Sequence, residues 1–265
     1  MNFIKISLLA IASIIFLSGC IKVDTKLKVN KDGSGTIEEQ VLISDAIAQM
    51  MSEFMSSFQD SANVPESFNL FKEEELKEKA SEYGDGVEYV SGKEIKKDGW
   101  QGYKAVYSIA DINKIKMETD PNKKVEMGDS ENGEYFNFKF VPGNVAQLII
   151  DRPEYQMEFH EGERETEEET GDKKLDDKFI KMMEGMKVKI ALEFNGNIQE
   201  TNATYVDGSK VTLLDIDFDK LLSNKESLAK FKNNPPNNLD EMEEIVKNIA
   251  GIKIELKKPV KVKFD

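Results

Sequence analysis

Apolar and polar residues alternate where the body of the chain begins. Val23, Thr25, Leu27 and Val29 share one parity, with charged or polar residues between them. Ile37, Glu39, Val41 and Ile43 resume the period beyond Asp32-Gly33-Ser34-Gly35. A two-residue period sends alternate side chains to opposite faces of a strand, and Asp-Gly tolerates the positive φ of a tight turn, so the pattern predicts a β-hairpin. The period then lengthens: Ile47, Met50, Met51, Phe54, Met55 and Phe58 recur at three- and four-residue steps behind Ser44 or Asp45 as helix cap. This predicts an amphipathic helix. A second, highly charged helix is expected over Glu66 to Tyr83, with a thinner apolar stripe.

Alternation returns in VEYVSGKEI and GYKAVYSIAD, joined near Lys97-Asp98-Gly99, where Tyr103, Ala105, Tyr107 and Ile109 share a face. EYFNFKFV and VAQLIID follow as strands around the turn Pro142-Gly143-Asn144. A second methionine helix carries Leu175, Phe179, Met182, Met183 and Met186 on one face. It hands over to the strand MKVKIALEF, and turns at Asn195-Gly196 and Asp207-Gly208 predict a three-strand meander through NIQETNATYV and SKVTLLDI. A short helix near Asp217 to Leu222 follows, then one bearing Leu239, Met242, Ile245, Val246 and Ile249, ended by Gly251. The closing segment IKIELKKPVKVKF alternates again, with Pro259 pointing to an edge or bent final strand. Hairpins and meanders with amphipathic helices on one face make an α+β fold on an antiparallel sheet.

The first residues bear on location. MNFIKISLLAIASIIFLSGC has a positive charge at Lys5, an apolar run from Ile6 to Leu17, and the ending Leu17-Ser18-Gly19-Cys20. That run is too short for a spanning helix, which needs about 20 apolar residues, and has the length of a signal-peptide core. The Leu-Ser-Gly-Cys ending resembles a bacterial lipobox, where a peptidase cuts before a cysteine that takes palmitate-type acyl chains. Cys20 is the only cysteine, so no intrachain disulfide competes for it. The expectation is a removed signal peptide at 1–19 and one extracytoplasmic domain at 20–265, lipid-anchored in the cell envelope, on either the inner or the outer membrane. Within it, the charge run EGERETEEETGD predicts an acidic mobile loop at 161–174.

Charge narrows the partners. With 36 basic and 50 acidic residues the chain has a net charge of -14, which opposes nucleic acid and gives no general attraction to anionic lipid. The membrane contact expected is the acyl anchor.

The segment KVKIALEFNGNIQETNATYVDGSKVTLL resembles the end of the LppM-type domain of bacterial lipoproteins: a strand, a Phe194-x-Gly196 turn, a strand with Glu200 and Asn202-Ala203, a turn at Gly208, and a Val211-Thr212 strand. The opening VDTKLKVNKDGSGTIEEQV is similar to the family's start. The resemblance covers the two ends of the domain. It implies a membrane-tethered extracytoplasmic α+β domain that binds lipid or glycolipid and has no enzymatic chemistry. Two departures stand out: the sequence finishes at KPVKVKFD without the C-terminal membrane segment of many members, and Asn195 occupies a position where proline is common.

Candidate chemistry is sparse. NKDGSGTIEEQV places Asn30, Asp32 and Ser34 at positions one, three and five of a calcium loop, yet position twelve is Val41 instead of the bidentate glutamate, and strands flank it instead of helices. No metal site is expected, and no cofactor motif occurs. His160 is the lone histidine, placed beside the acidic loop, and Trp100 reads as a turn-flanking aromatic. No nucleophile, base or phosphate-loop motif is found, so no enzyme is expected. The methionines are the distinctive feature: Met50, Met51, Met55, Met182, Met183 and Met186, with Phe54, Phe58 and Phe179, mark two helix faces suited to line a site for a flexible apolar ligand. Packing on the sheet is the other use of those faces. The sequence therefore leaves two functions, a tethered binder of lipid or another apolar ligand, and a structural lipoprotein that holds an envelope protein partner.

Overall fold

The structure, a computed structural model, describes residues 21–58, 68–118, 135–152, 185–224 and 239–265. Strand β1 (Ile21–Val29) pairs antiparallel with β2 (Gly35–Ser44) in unbroken register from Ile21↔Ile43 to Val29↔Gly35. The turn between them is the expected one. Gly33 takes φ 84, and the Asp32 carboxylate accepts from the Ser34 amide at 3.0 Å and its hydroxyl at 2.6 Å. Asp32 is thereby committed to stabilising the turn, while Glu38 lies on the outer face of the sheet between Lys28 and Lys104. The two carboxylates serve separate local interactions.

Helix α1 (Asp45–Phe58) follows at once, with the Ser44 hydroxyl accepting from the Ile47 amide at 3.3 Å. The charged helix is shorter than its pattern predicts: α2 (Glu73–Lys79) continues as a 3₁₀ turn over Ala80–Tyr83. Ahead of it, the Asn69 side chain accepts from the Phe71 amide at 2.8 Å, and Phe68, Leu70 and Phe71 pack against the core. Local side-chain bonding of this kind competes with helix and delays its start. Strands β3 (Val87–Lys97) and β4 (Trp100–Ile109) form the second hairpin, with Asp98 at φ 54 and Gly99 at φ 78.

After a 3₁₀ turn (Ile112–Lys114) come β5 (Lys116–Glu118), β6 (Tyr135–Val141) and β7 (Ala146–Asp151). Then follow β8 (Lys187–Phe194), β9 (Ile198–Thr201), β10 (Val206–Asp207), β11 (Lys210–Asp217), helices α3 (Phe218–Ser223) and α4 (Leu239–Asn248), β12 (Ile252–Ile254) and β13 (Val260–Phe264).

Two sheets result, confirming the α+β class. The larger runs β10-β11-β8-β1-β2-β4-β3 with β12 beside β11, and the smaller runs β5-β6-β7-β13-β9. Pairing is antiparallel except between β1 and β8, which run parallel from Lys22↔Lys187 to Val29↔Phe194. Two details differ from the pattern. The predicted meander is broken, because β9 leaves β8 and pairs with β13 in the second sheet. This exchange brings Ile198 against the core. The final strand is interior, between β7 and β13's other neighbour β9, and Pro259 stands just before its first residue, outside the ladder that its missing amide would interrupt.

The sheets face each other across one hydrophobic cluster. Leu27, Ile37 and Leu192 of the large sheet belong to it together with Phe138, Leu148 and Val262 of the small one. Phe194 and Phe264 meet across the gap with ring centroids 4.7 Å apart. Helix α1 contributes Ile47 and Ala48, and α2 with its 3₁₀ turn contributes Leu76, Ala80 and Tyr83. The opposite face of the large sheet is polar. Cross-strand ion pairs line it, including Lys26–Glu193 at 3.5 Å, Lys189–Asp215 at 3.6 Å and Lys187–Asp217 at 3.0 Å. The β3 edge is protected by a bulge between Tyr89 and Ser91 and by exposed charges such as Glu88 and Lys93, devices that discourage strand addition.

Glu38 is the best-placed of the outer charges. Its hydrogen bond from Lys28, with Lys104 at 3.1 Å, lowers its pKa to about 2 from an ordinary 4.5 against the opposing effect of partial burial. A carboxyl depressed on folding contributes stability above its unfolded value, and that contribution is lost as pH falls toward the folded one. The lysine partners are solvent-screened, so the contribution is about 1–2 kcal/mol. Glu38→Gln should therefore be less stable than the parent by that amount at pH 6. The gap should close between pH 4.5 and 2, read by urea denaturation, and a gap unchanged near pH 2.5 contradicts the assignment.

Candidate functional site

Among the described residues, three places carry candidate chemistry. The first is inside the core, where Glu39 sits on the apolar parity of β2 with no solvent exposure. One carboxylate oxygen accepts from the Tyr103 hydroxyl at 2.7 Å and the Lys79 ammonium at 2.9 Å. The other accepts from the Tyr83 hydroxyl at 2.5 Å. Lys79 also donates to the Tyr103 oxygen at 2.8 Å. Burial and the adjacent Glu39 charge push the Tyr83 and Tyr103 phenols far above their ordinary value, so both remain protonated donors. Each carboxylate oxygen is thus occupied by protein donors. The cluster clamps the 3₁₀ turn and α2 to β2 and β4. In the sequence, the signal for Glu39 is its parity with Ile37, Val41 and Ile43, an acidic residue where the core is expected.

Tyr107 lies beside this clamp, its ring 5.2 Å from that of Tyr83 and 6.0 Å from that of Tyr89. Its hydroxyl is buried without a hydrogen-bond partner among the described residues, a desolvation cost of about 1–3 kcal/mol.

The second place is the end of the large sheet where β1 begins. Met186 is buried at 7% exposure just ahead of β8, and its carbonyl accepts from the Phe218 amide at 3.1 Å. Met51 is half-buried against the core, whereas Met50 is 39% exposed. Phe54, Met55 and Phe58 belong to α1, but their side chains lie outside the described residues, as do Phe179, Met182 and Met183 altogether. Cys20, His160 and the acidic segment 161–174 also lie outside them. The described methionines thus divide between core and surface. Trp100 is half-buried at the start of β4, with the Lys22 ammonium 3.4 Å from its ring centroid.

The third place is the opposite end, where three turns converge. A groove of about 800 Å³ opens there, lined by Asn30, Thr36, Glu193, Asn195, Asn197 and Ser209 among others. Parallel pairing of β1 and β8 builds it: the Asn195 amide donates to the Val29 carbonyl at 2.8 Å, and the Phe194 amide to that of Ser209 at 2.8 Å. Asn195 Nδ2 donates to Asn30 Oδ1 at 3.2 Å, and Asn30 Nδ2 to Ser34 Oγ at 2.9 Å. On the far wall, the Asn197 amide donates to the Asp265 carboxylate at 3.1 Å. Gly196 is obligatory here, because a Cβ would fall on the Asp265 carbonyl. Amides, hydroxyls and main-chain groups make this surface suited to hydrogen-bond recognition. In the sequence these asparagines read as turn residues, and nothing local shows that separate turns meet.

Among the described residues, no group of three or more His, Cys, Asp or Glu is placed to hold a metal ion, and no helix is long and apolar enough to cross a membrane. Two substitutions test the core cluster. Glu39→Ala leaves Lys79 and two phenols without their acceptor and should cost about 3 kcal/mol or more in urea denaturation. Tyr107→Phe removes an unbonded hydroxyl and should leave stability unchanged or raise it by about 1 kcal/mol. A large loss on Tyr107→Phe would show that the hydroxyl has a partner.

A scan against protein-family models matches none, and no curated protein sequence matches the chain. Among solved structures, the chain is similar to the folded domain of the Mycobacterium tuberculosis LppM protein, determined by NMR. The identity is 10% and the TM-score 0.34, over 93% of this chain and 90% of that one. At that TM-score the likeness transfers neither topology nor activity.

Proposed function

We propose that the chain is a bacterial envelope lipoprotein, tethered to its membrane through acylated Cys20, whose extracytoplasmic fold binds a partner and catalyses no reaction. The observation that carries this reading is the course of β1. The strand starts at Ile21, the residue after Cys20, with its side chain already buried at 1% exposure, and ends at the polar groove. Nine residues of strand put the groove about 30 Å from the anchor. One end of the fold belongs to the membrane, and the open recognition surface faces away from it.

The groove chemistry supports a binding role. Its lining offers amides, hydroxyls and main-chain groups, and the Glu193 and Lys28 side chains there are engaged with Lys26 and Glu38. A polar envelope partner, a protein above all, fits such a surface. The exposed Met50 supports a second reading, in which α1, whose sequence includes Phe54, Met55 and Phe58, and the segment carrying Phe179, Met182 and Met183 hold a lipid, glycolipid or other apolar ligand.

Cys20→Ser should move the protein from the membrane to the soluble fraction of expressing bacteria, and the parent's intact mass should show cleavage before Cys20 plus acyl chains. An unprocessed, unacylated parent overturns the anchor. A photo-crosslinking residue at Ser209 in the groove should capture a reproducible envelope partner that the same residue at Val90, on the β3 edge, does not. Identical products from both positions, or none, contradict the groove as the recognition site. For the second reading, native mass spectrometry should find a bound lipid whose occupancy falls on Met50→Glu.

A further inference from the structure

The β-ladder locates one residue relative to the anchor with unusual definiteness. Ile21 pairs with Ile43, and Ile43 pairs with Gln101, so these three form one row across the large sheet. Ser44, Trp100 and Lys97 form the next row outward. Trp100 therefore stands one step beyond Ile21 along the strand direction, the level at which Cys20 joins the fold, and two strands away, about 10 Å. It is the only tryptophan in the chain.

The surroundings of Trp100 have the character of an interfacial contact. Its ring is half-buried, and the Lys22 ammonium is stacked on it 3.4 Å from the centroid. Among the described residues Lys22 has no carboxylate within ion-pair distance, unlike Lys187 across the parallel pair, which holds Asp217 at 3.0 Å. Partial burial and the neighbouring Lys187 charge lower the Lys22 pKa against the opposing attraction of Asp219 and Asp217, which stand farther off than an ion pair. The adjoining hairpin tip, Asp98-Gly99, is held against the start of α1 by a 2.9 Å bond from the Asp45 amide to the Gly99 carbonyl. This corner is thus a fixed surface.

We propose that this corner is seated in the headgroup layer of the membrane that holds the anchor, with the Trp100 ring at the interface and the Lys22 ammonium on a lipid phosphate. The proposal rests on the lipoprotein reading of Cys20. The headgroup layer is roughly 5–7 Å deep in each leaflet, and no linker separates the acylated residue from β1, so a side chain level with the anchor is carried into that layer. Tryptophan favours this zone because its ring is apolar and its indole N–H is polar. The net charge of -14 opposes a broad electrostatic contact, which leaves a local one built from a ring and one lysine with no carboxylate at ion-pair distance among the described residues.

The single tryptophan makes the test direct. The acylated full chain, verified by intact mass, is bound to preformed phosphatidylcholine vesicles with and without brominated acyl chains near the glycerol. The expected result is a blue shift of Trp100 emission on binding, quenching by the brominated lipid and protection from aqueous iodide. Acylated, vesicle-bound protein whose Trp100 is unquenched by bromine and open to iodide would overturn the contact while leaving the anchor intact. An unmodified Cys20 would overturn the anchor and the contact with it. Lys22→Glu keeps the reporter and should reduce the bromine quenching; quenching equal to the parent's would overturn the phosphate contact.

Discussion

The parallel pairing of β1 with β8 is the interaction on which the rest of the molecule depends. It joins the first hairpin to strands from the last third of the chain, and so makes one sheet of two antiparallel halves. Without it the Asn30 and Asn195 turns would not meet, and the groove would have no floor. A parallel pair cannot be closed by a tight turn and requires a long crossover. Here everything from β2 through β7 lies inside that crossover, including most of the second sheet.

Burial then fixes the order of the layers. The large sheet has one apolar face, and both the small sheet and the helices compete for it. The small sheet covers the region around Phe194 and Phe264, while α1, α2 and the 3₁₀ turn cover the β2, β4 and β3 side. Glu39 marks the helical half. An apolar residue would pack there without directing anything, whereas a carboxylate accepts only an arrangement that supplies Tyr83, Tyr103 and Lys79 together. The clamp is consistent with selection of one packing over others, at a desolvation cost that its three donors offset.

The functional readings follow from the two ends of the same strand. Ile21 admits no slack between Cys20 and the sheet, and Val29 delivers the chain to a surface of amides and hydroxyls. Under the lipoprotein reading, orientation at the membrane is a property of the fold itself, and a short, rigid tether replaces the flexible linker that would decouple the domain from the bilayer. Met186, which the helical pattern groups with Met182 and Met183, is core. Helical periodicity reports that a face is apolar and is silent on what covers it.

Much of the local structure is legible in the residues alone. The β1–β2 and β3–β4 hairpins, the cap of α1 and the α+β class all follow from period, turn chemistry and capping, which act over a few neighbours, whereas α4 stops at Asn248, a turn short of the Gly251 that the pattern marks as its end. The lipobox resemblance at Leu17 to Cys20 is likewise a local matter. What only the tertiary structure decided involves residues that no local pattern can associate. Asn30 and Asn195 are 165 positions apart, β9 chooses β13 over β8, and Trp100 reaches the level one step beyond Ile21 through two successive registers. Glu39 lies between the two cases: its parity puts it in the core, but the donors that make its burial tolerable come from α2, the 3₁₀ turn and β4. Alternation determines which face a side chain takes, because that depends on the strand's own geometry. Pairing determines which strand it meets, because that depends on the burial of the whole sheet.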